Sequence, residues 1–152
     1  MLSDDAAFRA TVRRQRYPAW IATIREIASA ISKRPEATGR VGLLGFSLGG
    51  DLSAATSASD PDIAALVVFY GGMPNTMAGF VLHLPPTLEL HGDADNEASL
   101  SDGKALIETA RALGGTAEQI VYPGAGHGFD FDPCVQIRRM RRLEPSNFRN
   151  NL

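Results

Sequence analysis

At 152 residues, with 44% hydrophobic and 21% charged side chains, the chain has the make-up of one globular domain, too short for two of ordinary size and unlike a disordered or fibrous protein. A formal charge of −2 from 15 basic and 17 acidic residues builds in no attraction to nucleic acid or anionic lipid, so a small-molecule substrate is expected, with no nucleic-acid and no membrane partner. No run nears the roughly 18–20 apolar residues that span a bilayer, no secretory signal opens the chain, and the single Cys134 cannot close an internal disulfide; a cytoplasmic protein is expected.

Between Pro18 and Ser32, Trp20, Ile21, Ile24, Ile27, Ala28 and Ile31 recur at helical spacing, with Arg25 and Glu26 off that face. This predicts an amphipathic helix ended by Pro35 and Gly39. The apolar run Arg40–Phe46 reads as a strand buried on both faces. A small-residue helix from Leu48 to about Ser57 is broken at Asp60-Pro61, and Ile63–Tyr70 gives a second strand, stopped by Gly71-Gly72. Thr87–Leu90 is a third, running into His91-Gly92. Ser99–Leu113 predicts a helix, with Ser99 and Asp102 at capping-box spacing and Gly114-Gly115 as its stop. Glu118–Tyr122 is the fourth strand.

Strands alternating with helices predict an α/β fold, a doubly wound parallel sheet with right-handed crossovers, whose ligands bind beyond the carboxyl ends of the strands. From Pro133 the pattern degrades: five arginines from Arg138 to Arg149 face one acid, Glu144, with a thin apolar stripe through Ile137, Met140 and Leu143. Residues 133–152 are an atypical basic tail on a single domain. A solvated helix face is the plain reading of that tail, and anion or nucleic-acid binding the other.

Gly45-Phe46-Ser47-Leu48-Gly49 fits G-x-S-x-G between a strand and a helix. A nucleophile at so sharp a turn needs small neighbours two positions away. A phosphate-cradling loop would place a Lys after its last Gly, and none stands here. A serine hydroxyl needs a base, and the base an acid to orient it. Of three histidines, His127 lies in a Gly-rich loop after the last strand and is the candidate base. His83 reads as packing or surface, and His91 as a local structural hydrogen bond. Asp95 is the candidate acid, with Asp93 as the alternative that more naturally ties its own turn. The order Ser, Asp, His is that of α/β-hydrolases. His91, Asp93, Asp95 and His127 sit at no common metal-ligand spacing, and Cys134 lacks glycine flanks, so neither a metal nor a thiol nucleophile is expected. No cofactor is implied.

Gly45-Phe-Ser-Leu-Gly-Gly50, Leu88-Glu-Leu-His-Gly-Asp-Ala-Asp95 and Val121-Tyr-Pro-Gly-Ala-Gly-His-Gly-Phe129 resemble three successive motifs of the dienelactone hydrolase family, over roughly residues 17 to 131. The resemblance implies an α/β-hydrolase-type sheet, here incomplete with about four C-terminal strands, and a triad of Ser47, Asp95 and His127. Founding members carry cysteine where this chain has Ser47, which turns the expectation from dienelactones toward general carboxylic esters or lactones. The family fold has about eight strands, and the first half of its sheet has no counterpart in this sequence. Of the two backbone donors that acyl transfer uses, the Leu48 amide is present and its partner loop has no match, which would cost about 10²–10³ in rate. The nucleophile strand would also become an open edge, and self-association through it is expected. Two other readings stand beside the ester hydrolase: a peptidase of prolyl oligopeptidase type, and a feebly active fragment serving as an interaction module.

Overall fold

Each of the four apolar runs becomes a strand, and the strands line up in the order in which the chain makes them. The computed structural model, which describes residues 2–73 and 81–131, has β1 (Val41–Phe46), β2 (Ile63–Phe69), β3 (Thr87–Gly92) and β4 (Ala117–Tyr122) in one sheet of order β1-β2-β3-β4. All three pairings are parallel. The helices are α1 (Leu2–Ser32), α2 (Leu48–Ser59) and α3 (Leu100–Ala112), and a short 3₁₀ turn spans Phe129–Phe131. This is the incomplete α/β-hydrolase-type sheet expected from the motifs.

Register shows how the layers stack. A side chain at Gly50 of α2 would meet Val68, and one at Gly103 of α3 would meet Glu89; Val68 and Glu89 are register partners on β2 and β3. Partners across a parallel pair point the same way, so α2 and α3 cover one face. That face buries Ala54, Leu66, Val68, Leu106 and Ala110 in one core cluster. Full burial of a leucine such as Leu66 or Leu106 contributes about 1.5–3 kcal/mol. On the other face a smaller cluster gathers Tyr70, Leu90, Ala125 and Phe129, with Tyr122 and Phe69 packed against it. Towards β1 this face is open: Leu44 is 56% and Phe46 43% exposed.

Three expectations need correction. β1 is not buried on both faces; it has only β2 beside it among the described residues, so its side chains alternate between cover and solvent. The first helix starts far upstream of Pro18 and carries that proline inside it. Its predicted apolar stripe is only partly used: Ala28 is buried, but Ile27 and Ile31 face solvent, because α1 packs mainly on α2 and barely reaches the sheet. At α3 the Ser99 hydroxyl caps the amide of Ser101 at 3.2 Å, in place of a bond to Asp102. Gly114, at φ 79, closes the helix as expected. Among the described residues no helix is long and apolar enough to cross a membrane. The basic tail, with Cys134, lies outside the described residues.

Candidate active site

Ser47 caps α2 with φ 51 and ψ −125, a conformation that costs a residue with a side chain. The flanking glycines make it feasible. A Cβ on Gly45 would run into the Gly49 carbonyl, and one on Gly50 would lie 2.9 Å from Val68 Cγ1. The Ser47 amide donates to the Phe69 carbonyl at 2.9 Å, which ties the turn to β2, and the Ser47 carbonyl accepts from Gly50 at 2.8 Å. The amide of Leu48, in the first turn of α2, has no carbonyl behind it in the helix and lies next to the hydroxyl.

Two further loops, at the carboxyl ends of β3 and β4, bring Asp95 and His127 to the same place. His127 Nε2 lies 2.9 Å from Ser47 Oγ, and His127 Nδ1 lies 2.8 Å from Asp95 Oδ2. The structure therefore joins all three sequence-predicted groups in one line. Asp95 Oδ1 accepts from the amides of Glu97 at 2.8 Å and Ala98 at 2.9 Å. Burial alone would raise the Asp95 pKa, but the Ala98 amide, the His127 bond and the Glu97 amide outweigh it and hold the group below its usual value. An ionised carboxylate only accepts, so Nδ1 of His127 carries the ring proton and Nε2 is free to accept from the serine hydroxyl.

The His127 loop is held from several sides. Its imidazole packs on the Tyr70 ring at a centroid distance of 4.6 Å. Tyr70 has φ 39, and its hydroxyl donates to Asp130 Oδ1 at 2.6 Å. Burial, together with that bond and the charge of Asp130, pushes the Tyr70 hydroxyl well above its usual pKa. Asp93 does not tie its own turn as expected: its Oδ1 accepts from the Gly124 amide at 2.6 Å, clamping the β3 loop to the β4 loop. It makes no part of the Ser47 line. His83 is exposed.

His91 makes the local hydrogen bonds expected of it, but its environment was not legible. It is fully buried beside an equally buried Glu89. Its Nδ1 lies 2.8 Å from Glu89 Oε1, and its Nε2 lies 3.3 Å from the Ala98 carbonyl and 3.4 Å from Asp95 Oδ2. Burial disfavours a charged ring here, yet the Glu89 bond and charge, the Ala98 carbonyl and Asp95 carry the His91 pKa above its usual value. The sequence does hold a signal: Glu89 and His91, two titratable residues, alternate onto one face of a strand.

Beside the turn, Asp51 Oδ1 accepts from the Gly72 amide at 2.9 Å, and Tyr17 points its hydroxyl at Asp51 Oδ2 from 3.5 Å. Burial raises the Asp51 carboxyl, with Asp102 adding to the effect, and burial with Asp51 as neighbour pushes Tyr17 up to about 12. Among the described residues no three His, Cys, Asp or Glu groups are disposed to hold a metal ion.

The sequence profile of the dienelactone hydrolase family matches residues 4–134. A protein of Methylorubrum extorquens named "Putative carboxymethylenebutenolidase" is 31% identical over 118 residues, which covers 72% of this chain and 39% of that protein. The chain thus spans about two fifths of that relative. Among solved structures, a dienelactone hydrolase-like promiscuous phosphotriesterase from metagenomic libraries superposes with TM-score 0.73 at 20% identity, covering 90% of this chain and 64% of the other. Esterase PE8 superposes with TM-score 0.61 at 21% identity, covering 84% and 60%. Those two likenesses concern the fold, and they agree with the profile: the chain belongs to the dienelactone hydrolase family of the α/β-hydrolase superfamily.

Proposed function

We propose that this chain is a serine hydrolase that cleaves carboxylic esters or lactones through an acyl-enzyme. One observation carries the reading: Ser47 Oγ, the His127 ring and Asp95 stand in an unbroken line of 2.9 and 2.8 Å contacts at a strained strand-to-helix turn. His127 Nε2 takes the proton of Ser47 as Oγ attacks the substrate carbonyl. Asp95 keeps the ring in the tautomer that can do so and stabilises the imidazolium that forms. The carbonyl oxygen gains negative charge beside the Leu48 amide, which donates to it. Collapse of the tetrahedral intermediate breaks the ester C–O bond, and His127 returns the proton to the leaving alkoxide. For a lactone the leaving alkoxide stays tethered to the acyl group. Water, deprotonated by the same His127, then attacks the acyl-enzyme and releases the acid. No cofactor enters any step.

The test is hydrolysis of p-nitrophenyl acetate together with labelling by a fluorophosphonate probe. Ser47→Ala is expected to abolish labelling and to lower esterase turnover by about 10³-fold or more. Equal turnover in wild type and Ser47→Ala would remove the assignment.

The open edge of β1 supports a second part of the same reading, association of copies through that strand. A strand paired on one side only among the described residues, with exposed Leu44 and Phe46, presents backbone donors, acceptors and apolar surface together. Sedimentation should find dimers or larger species at micromolar concentration, and a stable monomer there would contradict it.

A further inference from the structure

Resting on the triad reading above, the geometry points to the buried Glu89–His91 couple as a positioning device for Asp95: His91 Nε2 holds the Ala98 carbonyl at 3.3 Å, the Ala98 amide holds Asp95 Oδ1 at 2.9 Å, and the ring lies 3.4 Å from Asp95 Oδ2, which together fix the carboxylate in the orientation that meets His127. Both side chains of the couple are 0% exposed. A carboxylate in such a place costs several kcal/mol unless it is paired and hydrogen-bonded, and an apolar pair of similar size would usually serve stability as well. The fold meets that cost in three separate places. Gly103 sits inside α3, where a glycine costs about 1 kcal/mol relative to alanine, and a Cβ there would lie 2.6 Å from Glu89 Cδ. The neutral Gln119 of β4 donates from Nε2 to Glu89 Oε2 at 2.8 Å. His91 occupies Oε1 at 2.8 Å.

Proton counting then sets the direction of the link. The charged groups facing His91 are Glu89, on its own strand, and Asp95, on the following loop. The Ala98 carbonyl at 3.3 Å can only accept, and so can ionised Asp95 at 3.4 Å, so Nε2 of His91 carries a proton. That proton is directed at the Ala98 carbonyl, so the couple grips the residue whose own amide holds Asp95 Oδ1. Asp95 Oδ2 thus lies 2.8 Å from His127 Nδ1 and 3.4 Å from His91 Nε2, while Oδ1 accepts from two amides. His91 does not approach Ser47 or a substrate; it acts through Asp95.

The experiment compares His91→Leu, His91→Gln and wild type by the rate of fluorophosphonate labelling at Ser47 as a function of pH, with Leu106→Ala as a control for lost stability alone. His91→Leu is expected to slow labelling by about 10- to 100-fold. It should also move the half-rise of labelling to higher pH, because the Asp95 charge is less compensated and favours the imidazolium of His127. His91→Gln, whose amide can donate from the place of Nε2, should recover most of the rate, and Leu106→Ala should leave the half-rise where it is. Label in wild type with an unchanged rate and half-rise in His91→Leu overturns the inference alone. Wild type that takes no label overturns the triad reading and the inference with it. If His91→Leu does not fold, the imidazole nitrogen spectrum of the wild type decides: a protonated His91 Nε2 from about pH 5 to 9 is expected, and a bare Nε2 overturns the proposal.

Discussion

Asp95 pulls the stability of the chain one way with pH, and His91 and Asp51 pull it the other. Asp95 is held below its usual pKa, so its contribution is complete above the unfolded value and fades as pH falls through the folded one. His91 is raised; its contribution is complete below the unfolded value and fades as pH rises through the folded one. Asp51 is raised by burial, so the folded state resists its ionisation and loses stability as pH climbs from the unfolded value through the folded one. Asn at position 51 could still accept from the Gly72 amide without carrying that charge. Asp51→Asn should therefore raise the urea midpoint at pH 7 relative to its effect at pH 3, where the wild-type carboxyl is protonated in the unfolded chain. A midpoint that falls equally at both would contradict this.

At the scale of elements, α3 offers a reversal of a familiar rule. Gly to Ala in a helix interior ordinarily stabilises by about 1 kcal/mol, but at Gly103 the new methyl would press on the Glu89 carboxylate. Gly103→Ala should instead destabilise by about 1–3 kcal/mol, read by chemical denaturation. The turn at Phe129–Phe131 offers a second case. Tyr70→Phe removes the hydroxyl that meets Asp130 at 2.6 Å and keeps the ring against His127. It should cost about 1–2 kcal/mol and spare most of the esterase rate. Losing the rate while keeping the stability would mean the hydroxyl has a chemical role.

Strand and helix positions were legible because the apolar runs are dense and glycine or proline marks nearly every boundary. The three motif residues, Ser47, Asp95 and His127, were legible because each follows a strand end. What was not legible depends on partners distant in sequence. The Glu89 carboxylate looks like an ordinary exposed strand position until Gly103 and Gln119 are seen around it. The clamp from Asp93 to Gly124 crosses two loops. The upstream reach of α1 was hidden by Pro18, which reads as a start and lies inside the helix.

Among the described residues, the sheet carries helices on one face, a smaller cluster on the other, and a margin at β1. The exposure of Leu44, at 56%, and of Ile27, at 54%, follows from that margin. A lysine on an open edge opposes pairing by another chain. Leu44→Lys should shift the sedimentation distribution toward monomer while leaving fluorophosphonate labelling within about threefold, since exposed positions seldom carry more than about 0.5 kcal/mol. Unchanged association in that variant would place the contact elsewhere.

Among the described residues, Ser47 is borne by the outermost strand, one residue beyond its end, not by an inner one. A strand that hydrogen-bonded to β1 in parallel would finish level with Phe46, and the loop leaving it would overhang the hydroxyl. In the proposed hydrolase, a chain that supplied that neighbour would also furnish a wall beside Ser47, and quaternary arrangement and substrate choice would then be a single question.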